Sequence, residues 1–280
     1  MLNNFSCFVL ISLMVIVTRQ NLLSMYVYIF LCYSVSFYNN VYIIKLPYIN
    51  KLWFLLLIFH KVLHCLDMAH FISPTSIALL GPSQSGKTTF VVRLLLHVET
   101  MIIPPPVKIY YAYTAWQPLF EKLKDKVTFH EGLPNKTMMD TWSSDLEPIV
   151  VVLDDLMDQI VSNKEVLHYV TVMSHHSNIM LIMMFHNIYP PGKYARTISL
   201  NCHYLVLFNN ARDALQVMNL GRQILPRQTA FYIDAYEKAM NMSRCNYLVT
   251  DLHPQSDKQL RIRTRIMPDD VGPPRIYKAI

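Results

Sequence analysis

An α/β fold with a mainly parallel sheet flanked by helices is what this 280-residue sequence predicts. Three observations predict it. The loop Gly81-Pro-Ser-Gln-Ser-Gly-Lys-Thr88 lies between a short apolar run and a helix-forming one. An uninterrupted β-branched run, Pro148-Ile-Val-Val-Val-Leu153, ends in two carboxylates, Asp154 and Asp155. Around these, strand-length apolar runs alternate with helical stretches as far as Phe208, the pattern of strand–helix–strand units with parallel pairing.

The first element is Ser76–Leu80, a short buried strand, and Thr89–Val98 without Gly or Pro is the helix that follows. The loop joining them fits G-x-x-x-x-G-K-[ST], the Walker A or P-loop pattern. Strand, glycine loop and helix together aim backbone N–H groups and a helix N-terminus at a phosphate. Gly81 and Gly86 permit a backbone approach that a Cβ would obstruct. Gly81, Pro82, Ser83, Gln84, Ser85, Gly86, Lys87, Thr88 and Thr89 therefore form the expected nucleotide-binding set. Lys87 is placed to reach the β- and γ-phosphates of ATP, and the Thr88 hydroxyl to ligate Mg²⁺.

Further along, Ile102-Ile-Pro-Pro-Pro106 is a rigid connector that ends any helix. Lys108–Tyr113 reads as a strand, Trp116–Lys126 as a short helix and Val127–His130 as another strand. The polar stretch 132–144 reads as a surface loop. The run ending at Leu153 suits a strand buried on both faces. It delivers Asp154 and Asp155 to the carboxyl edge of the sheet, where ligands bind in open α/β folds. Asp154 takes the Walker B position that holds Mg²⁺, directly or through water, and Asp155 is the candidate for orienting the attacking water.

Lys164–Ser174 reads as helix and Asn178–Phe185 as a buried strand, its Met180, Met183 and Met184 being core filler. That strand ends in His186-Asn187, read either as groups that sense phosphate and position water, with Asn187 taken for the catalytic set, or as a strand-end turn. His203–Phe208 is a further strand, and Arg212 stands where the next helix opens. Arg212 is a candidate arginine finger toward a neighbouring subunit's nucleotide, with Arg196 its competitor. Phe231–Met240 reads as helix and Tyr247–Thr250 as strand. Arg261, Arg263 and Arg265 alternate with Ile262, Thr264 and Ile266, which puts three guanidinium groups on one strand face. That face either meets phosphates or is a solvated edge.

The chain divides by composition. Residues 1–67 contain no Gly, Ala or Glu, and carry four basic residues against one acidic. Leu22–Tyr38 is apolar enough to be a transmembrane candidate. The alternative expectation is that 1–67 is an upstream extension joined by gene prediction, the working protein starting near Met68, so that 68–280 is the ATPase domain. Net charge is +6 overall, which permits a nucleic-acid partner without arguing for one. The five cysteines show no C-x-x-C spacing, which argues against a disulfide framework and fits a reducing compartment, cytoplasm or nucleus.

From about Met68 to Asp270 the chain resembles the FtsK–HerA superfamily of DNA-pumping ATPases. Within it, the chain is similar to the packaging ATPases of Polinton (Maverick) and adintovirus-like elements, relatives of the poxvirus packaging ATPase. The motifs that carry the resemblance come in the expected order: Gly81–Thr88, Leu153-Asp-Asp155, His186-Asn187, then Phe208-Asn-Asn-Ala-Arg212. Two positions depart from the pattern. Asp155 stands where Glu is usual, and His186-Asn187 where Gln is expected. The resemblance implies a RecA-like core acting as a ring, with a hexamer expected, each site completed by Arg212 of a neighbour. It implies ATP hydrolysis that drives double-stranded DNA through a central pore, gripped by its phosphates, into a capsid in the viral case. The competing expectations are another P-loop NTPase, such as a helicase or AAA-type remodeller, and a membrane-anchored nucleotide-binding protein, which requires residues 1–67.

Overall fold

The computed structural model describes residues 70–242 and 246–279. The Leu22–Tyr38 segment and the rest of 1–67 lie outside the described residues. Among the described residues no helix is long and apolar enough to cross a membrane.

The strands in chain order are β1 (Phe71–Ile72), β2 (Ser76–Leu80), β3 (Ile102–Ile103), β4 (Lys108–Tyr113), β5 (Thr128–Glu131), β6 (Ile149–Asp154), β7 (Ile179–Phe185), β8 (Tyr204–Phe208), β9 (Tyr247–Asp251), β10 (Ile262–Thr264) and β11 (Arg275–Tyr277). Nine of them form one sheet in the order β11-β10-β9-β8-β2-β7-β6-β4-β5. From β8 to β5 every pairing is parallel. The three strands added beyond β8 pair antiparallel. β1 and β3 make a separate two-residue parallel ladder.

Burial explains the central strands. Every residue of β6 and β7 is buried, as strands covered on both faces must be. Alternate side chains feed two separate apolar layers. On one face Ile77, Leu79, Val150, Val152, Ile182 and Met184 pack against Phe90, Val91, Leu94 and Leu95 of helix α1 (Lys87–Leu96). On the other face Ala78, Leu80, Val151, Leu153, Leu181 and Met183 meet Ile160, Val217, Leu220, Tyr232 and Ala235, carried by later helices. Each large side chain so buried contributes about 1.5–3 kcal/mol. The methionines of β7 are core, as expected of filler in a buried strand.

Three sequence expectations change. The stretch expected as an α-helix over 116–126 narrows to a 3-10 turn, Pro118–Leu123, because Pro118 starts it and Phe120 and Leu123 anchor it inward. The stretch 132–144, expected as a loop, contains an α-helix at Lys136–Trp142. Asn135 caps that helix by accepting from Met138 N at 2.9 Å, and Trp142 stacks on Tyr110 with ring centres 4.2 Å apart. The third change concerns the arginine-bearing strand. Arg263 is 3% exposed and its guanidinium pairs with Asp251 at 3.0 Å, so β10 presents no open row of charges.

Candidate nucleotide-binding site

β2 runs into the glycine loop, and the loop is pinned to the neighbouring strand where Gly81 N–H donates to Phe185 O at 3.1 Å. Gly81 has no room for a side chain. A Cβ there would stand 2.7 Å from Phe208 Cβ and 2.9 Å from Ser85 Oγ. Gly86 caps α1 with φ 103°, a left-handed conformation that favours glycine. The loop thus turns tightly enough to point the first turn of α1 back over the sheet edge. The backbone N–H groups of Gly86, Lys87, Thr88 and Thr89 find no acceptor among the described residues. Such orphan donors at a helix N-terminus are what an anionic phosphate satisfies. Ser83, Gln84 and Thr89 are exposed around the loop, Pro82 is half-buried, and the buried Ser85 Oγ has no hydrogen-bond partner among the described residues.

Lys87 is 8% exposed, and its ammonium donates to Gly81 O at 2.6 Å and Pro82 O at 2.7 Å. Burial lowers its pKa, an effect opposed by the charges of Asp154 and Asp155. Thr88 Oγ1 donates to Asp154 Oδ2 at 3.3 Å, which unites the two expected metal ligands across the gap between α1 and β6. Asp154 is 4% exposed. Burial raises its pKa, opposed by hydrogen bonds from Tyr111 and Thr88. A hard oxygen pair at a buried carboxylate, facing orphan N–H donors, suits Mg²⁺ bound with a polyphosphate.

Asp155 turns out of the sheet. Its φ of 58° is left-handed, and its side chain is 59% exposed. Thr114 Oγ1 donates to its main-chain oxygen at 2.9 Å, and His186 Nε2 lies 2.9 Å from its Oδ1. At this strand end the structure engages His186 and not Asn187. Asn187 is half-buried, and its side chain has no hydrogen-bond partner among the described residues. Arg212 is exposed on the turn after β8, its backbone N–H capped by Asn210 Oδ1 at 3.1 Å. Tyr236 steadies that turn, donating to Phe208 O at 3.1 Å and accepting from Asn210 N at 3.2 Å. Arg196 is also exposed, on the helix Ala195–Leu200. Neither arginine forms an ion pair among the described residues.

The sequence reading missed Tyr111, whose hydroxyl donates to Asp154 Oδ2 at 2.8 Å. No local sequence signal marks it, because it reaches Asp154 only through the pairing of β4 with β6.

Strand order decides the class. β7 lies between β2, which carries the glycine loop, and β6, which carries the acidic pair, so loop, carboxylates and the His186 strand end share one sheet edge. With β8 on the far side of β2, this is the P-loop NTPase fold in its RecA-like arrangement. Among solved structures, the chain is similar to the genome packaging NTPase B204 of Sulfolobus turreted icosahedral virus 2, determined in complex with AMPPCP. That likeness has a TM-score of 0.39 at 14% identity, over 74% of this chain and 98% of that one. The chain is similar as well to the cytoplasmic domain of EssC, with a TM-score of 0.38 at 14% identity, over 51% of this chain and 33% of that one. No protein-family model and no curated protein matches the sequence.

Proposed function

We propose that the chain is an ATP-hydrolysing motor of the FtsK–HerA type that moves double-stranded DNA, with genome packaging as its use. The domain from about residue 68 onward would do this work in a reducing compartment, as a ring of copies. One observation carries the reading: the glycine loop, the Thr88–Asp154 contact and the His186–Asp155 pair all stand at one edge of the parallel sheet, with an exposed Arg212 past the next strand.

Each residue then has a task. The loop N–H groups and Lys87 bind and orient the triphosphate, and Thr88 with Asp154 holds Mg²⁺. When bound, that ion neutralises charge on the β- and γ-phosphate oxygens. Asp155, raised off the sheet and braced by His186 and Thr114, orients the attacking water and takes its proton. Arg212 of one copy reaches the γ-phosphate held by the next copy. DNA is gripped by its phosphates, so binding weakens steeply with salt.

The test is ATPase activity of the full chain, with and without duplex DNA, beside Lys87→Ala and Arg212→Ala. The expected result is hydrolysis that rises with duplex DNA. Lys87→Ala should lose on the order of 100-fold or more. Arg212→Ala should lose roughly 1,000-fold, and should poison mixed rings with the wild-type chain. Hydrolysis indifferent to DNA would sink the motor reading while leaving the NTPase.

A further inference from the structure

We infer that Tyr111 is a positioning residue for Asp154, fixing which carboxylate oxygen is offered to a divalent cation; this rests on reading Asp154 as the metal-holding carboxylate. The register explains how the contact arises. In the β4–β6 pairing Tyr113 lies opposite Asp154 and Tyr111 opposite Val152. Tyr111 and Asp154 project to the same face, one pleat apart. Two residues of strand rise roughly 6–7 Å. That is about the reach of a phenol side chain, so the hydroxyl arrives level with the carboxylate.

Both available donors choose the same oxygen. Tyr111 Oη and Thr88 Oγ1 donate to Asp154 Oδ2, at 2.8 and 3.3 Å, and Oδ1 receives no hydrogen bond from the described residues. A Thr88 hydroxyl that turns toward a cation leaves Tyr111 as the donor holding Oδ2. Oδ1 would then be the oxygen left for the cation. The Tyr111 ring is fully buried and wedged against Phe120 and Phe129, with ring centres 4.8 and 5.6 Å away, so it cannot swing aside.

Tyr111→Phe in the full chain keeps the ring and removes the donor. Binding of a non-hydrolysable ATP analogue is measured by calorimetry while Mg²⁺ is titrated. The half-saturating Mg²⁺ concentration should rise about tenfold, as for other groups that orient a metal ligand. Affinity for the analogue without metal should not change, and adding Tyr111→Phe to Asp154→Asn should cost nothing further. An unaltered Mg²⁺ requirement overturns the inference. So does an equal loss of metal-free binding, which would make Tyr111 a packing residue. A wild-type chain that binds the analogue with no regard to Mg²⁺ would sink the reading of Asp154 itself, whereas a metal-dependent wild type beside an indifferent Tyr111→Phe sinks this inference alone.

Discussion

The six parallel strands from β8 to β5 and the three antiparallel strands from β9 to β11 belong to one sheet, yet they treat buried polar groups in opposite ways. In the parallel part Asp154 is buried at a strand end with one oxygen doubly hydrogen-bonded and the other taking no hydrogen bond from the described residues. Lys87 is buried there, its hydrogen-bond partners among the described residues being loop carbonyls. In the antiparallel part the buried charges answer each other within the sheet. Arg263 pairs with Asp251, and also donates to Leu260 O at 3.3 Å and His70 O at 3.2 Å. The Tyr232 and Thr250 hydroxyls lie 2.9 Å apart in the same region. A buried polar group matched by protein holds the fold together. One left with open valence at a sheet edge is held ready for a ligand.

Removing Asp251 has the largest expected effect. Asp251→Ala leaves the Arg263 guanidinium buried without its counter-charge and should destabilise the fold by about 3–5 kcal/mol. Denaturant unfolding measures it, and replacing both partners by apolar residues should recover much of the loss. A loss well under 1 kcal/mol would show that the two regions do not differ in kind.

A smaller effect is expected where the two regions are tied together. Arg93, on α1, donates to Asp269 at 2.8 and 2.7 Å and to Asp270 at 2.8 Å, and Asp270 accepts from Tyr247 at 2.6 Å. Arg93→Ala should cost about 1–2 kcal/mol, more than an ordinary surface pair because the fork is bidentate and partly buried. The wild-type advantage should shrink in high salt, as denaturant unfolding at two ionic strengths would show.

The smallest change sharpens the contrast by its sign. Asp154→Asn should abolish hydrolysis while stabilising the nucleotide-free fold by about 0.5–2 kcal/mol at neutral pH. Burial raises the Asp154 pKa, so the folded state binds its proton more tightly than the unfolded chain does. This group's penalty is therefore absent below the ordinary carboxylate range and grows as pH rises through its folded-state pKa. Thermal melts should show the gain of Asp154→Asn disappearing as pH falls toward about 4. A variant less stable than wild type at neutral pH would mean that the carboxylate's hydrogen bonds outweigh its burial. Asp269, lowered by Arg93, follows the opposite sign: its contribution is present above the ordinary range and is lost on acidification.

Much of this protein was legible residue by residue. The glycine loop, the strand leading into it, the helix leaving it and the acidic strand end are local patterns, set by backbone geometry and by the period of burial along the chain. The α/β class followed from their alternation, and the all-buried β6 and β7 followed from unbroken apolar runs. What lay beyond the sequence depended on register and on neighbours far along the chain. Nothing local says that the alternating arginines have Arg263 turned inward, because its partner Asp251 stands on another strand. Nothing local separates His186 from Asn187, because the choice was made by where the exposed Asp155 carboxylate came to rest. Tyr111 joined Asp154 only through the pairing of β4 with β6. Which residues could do phosphate chemistry was readable from side-chain type and short spacing. Tertiary structure alone decided which of them meet, since hydrogen bonds form within about 3 Å and strand order sets which distant residues come that close.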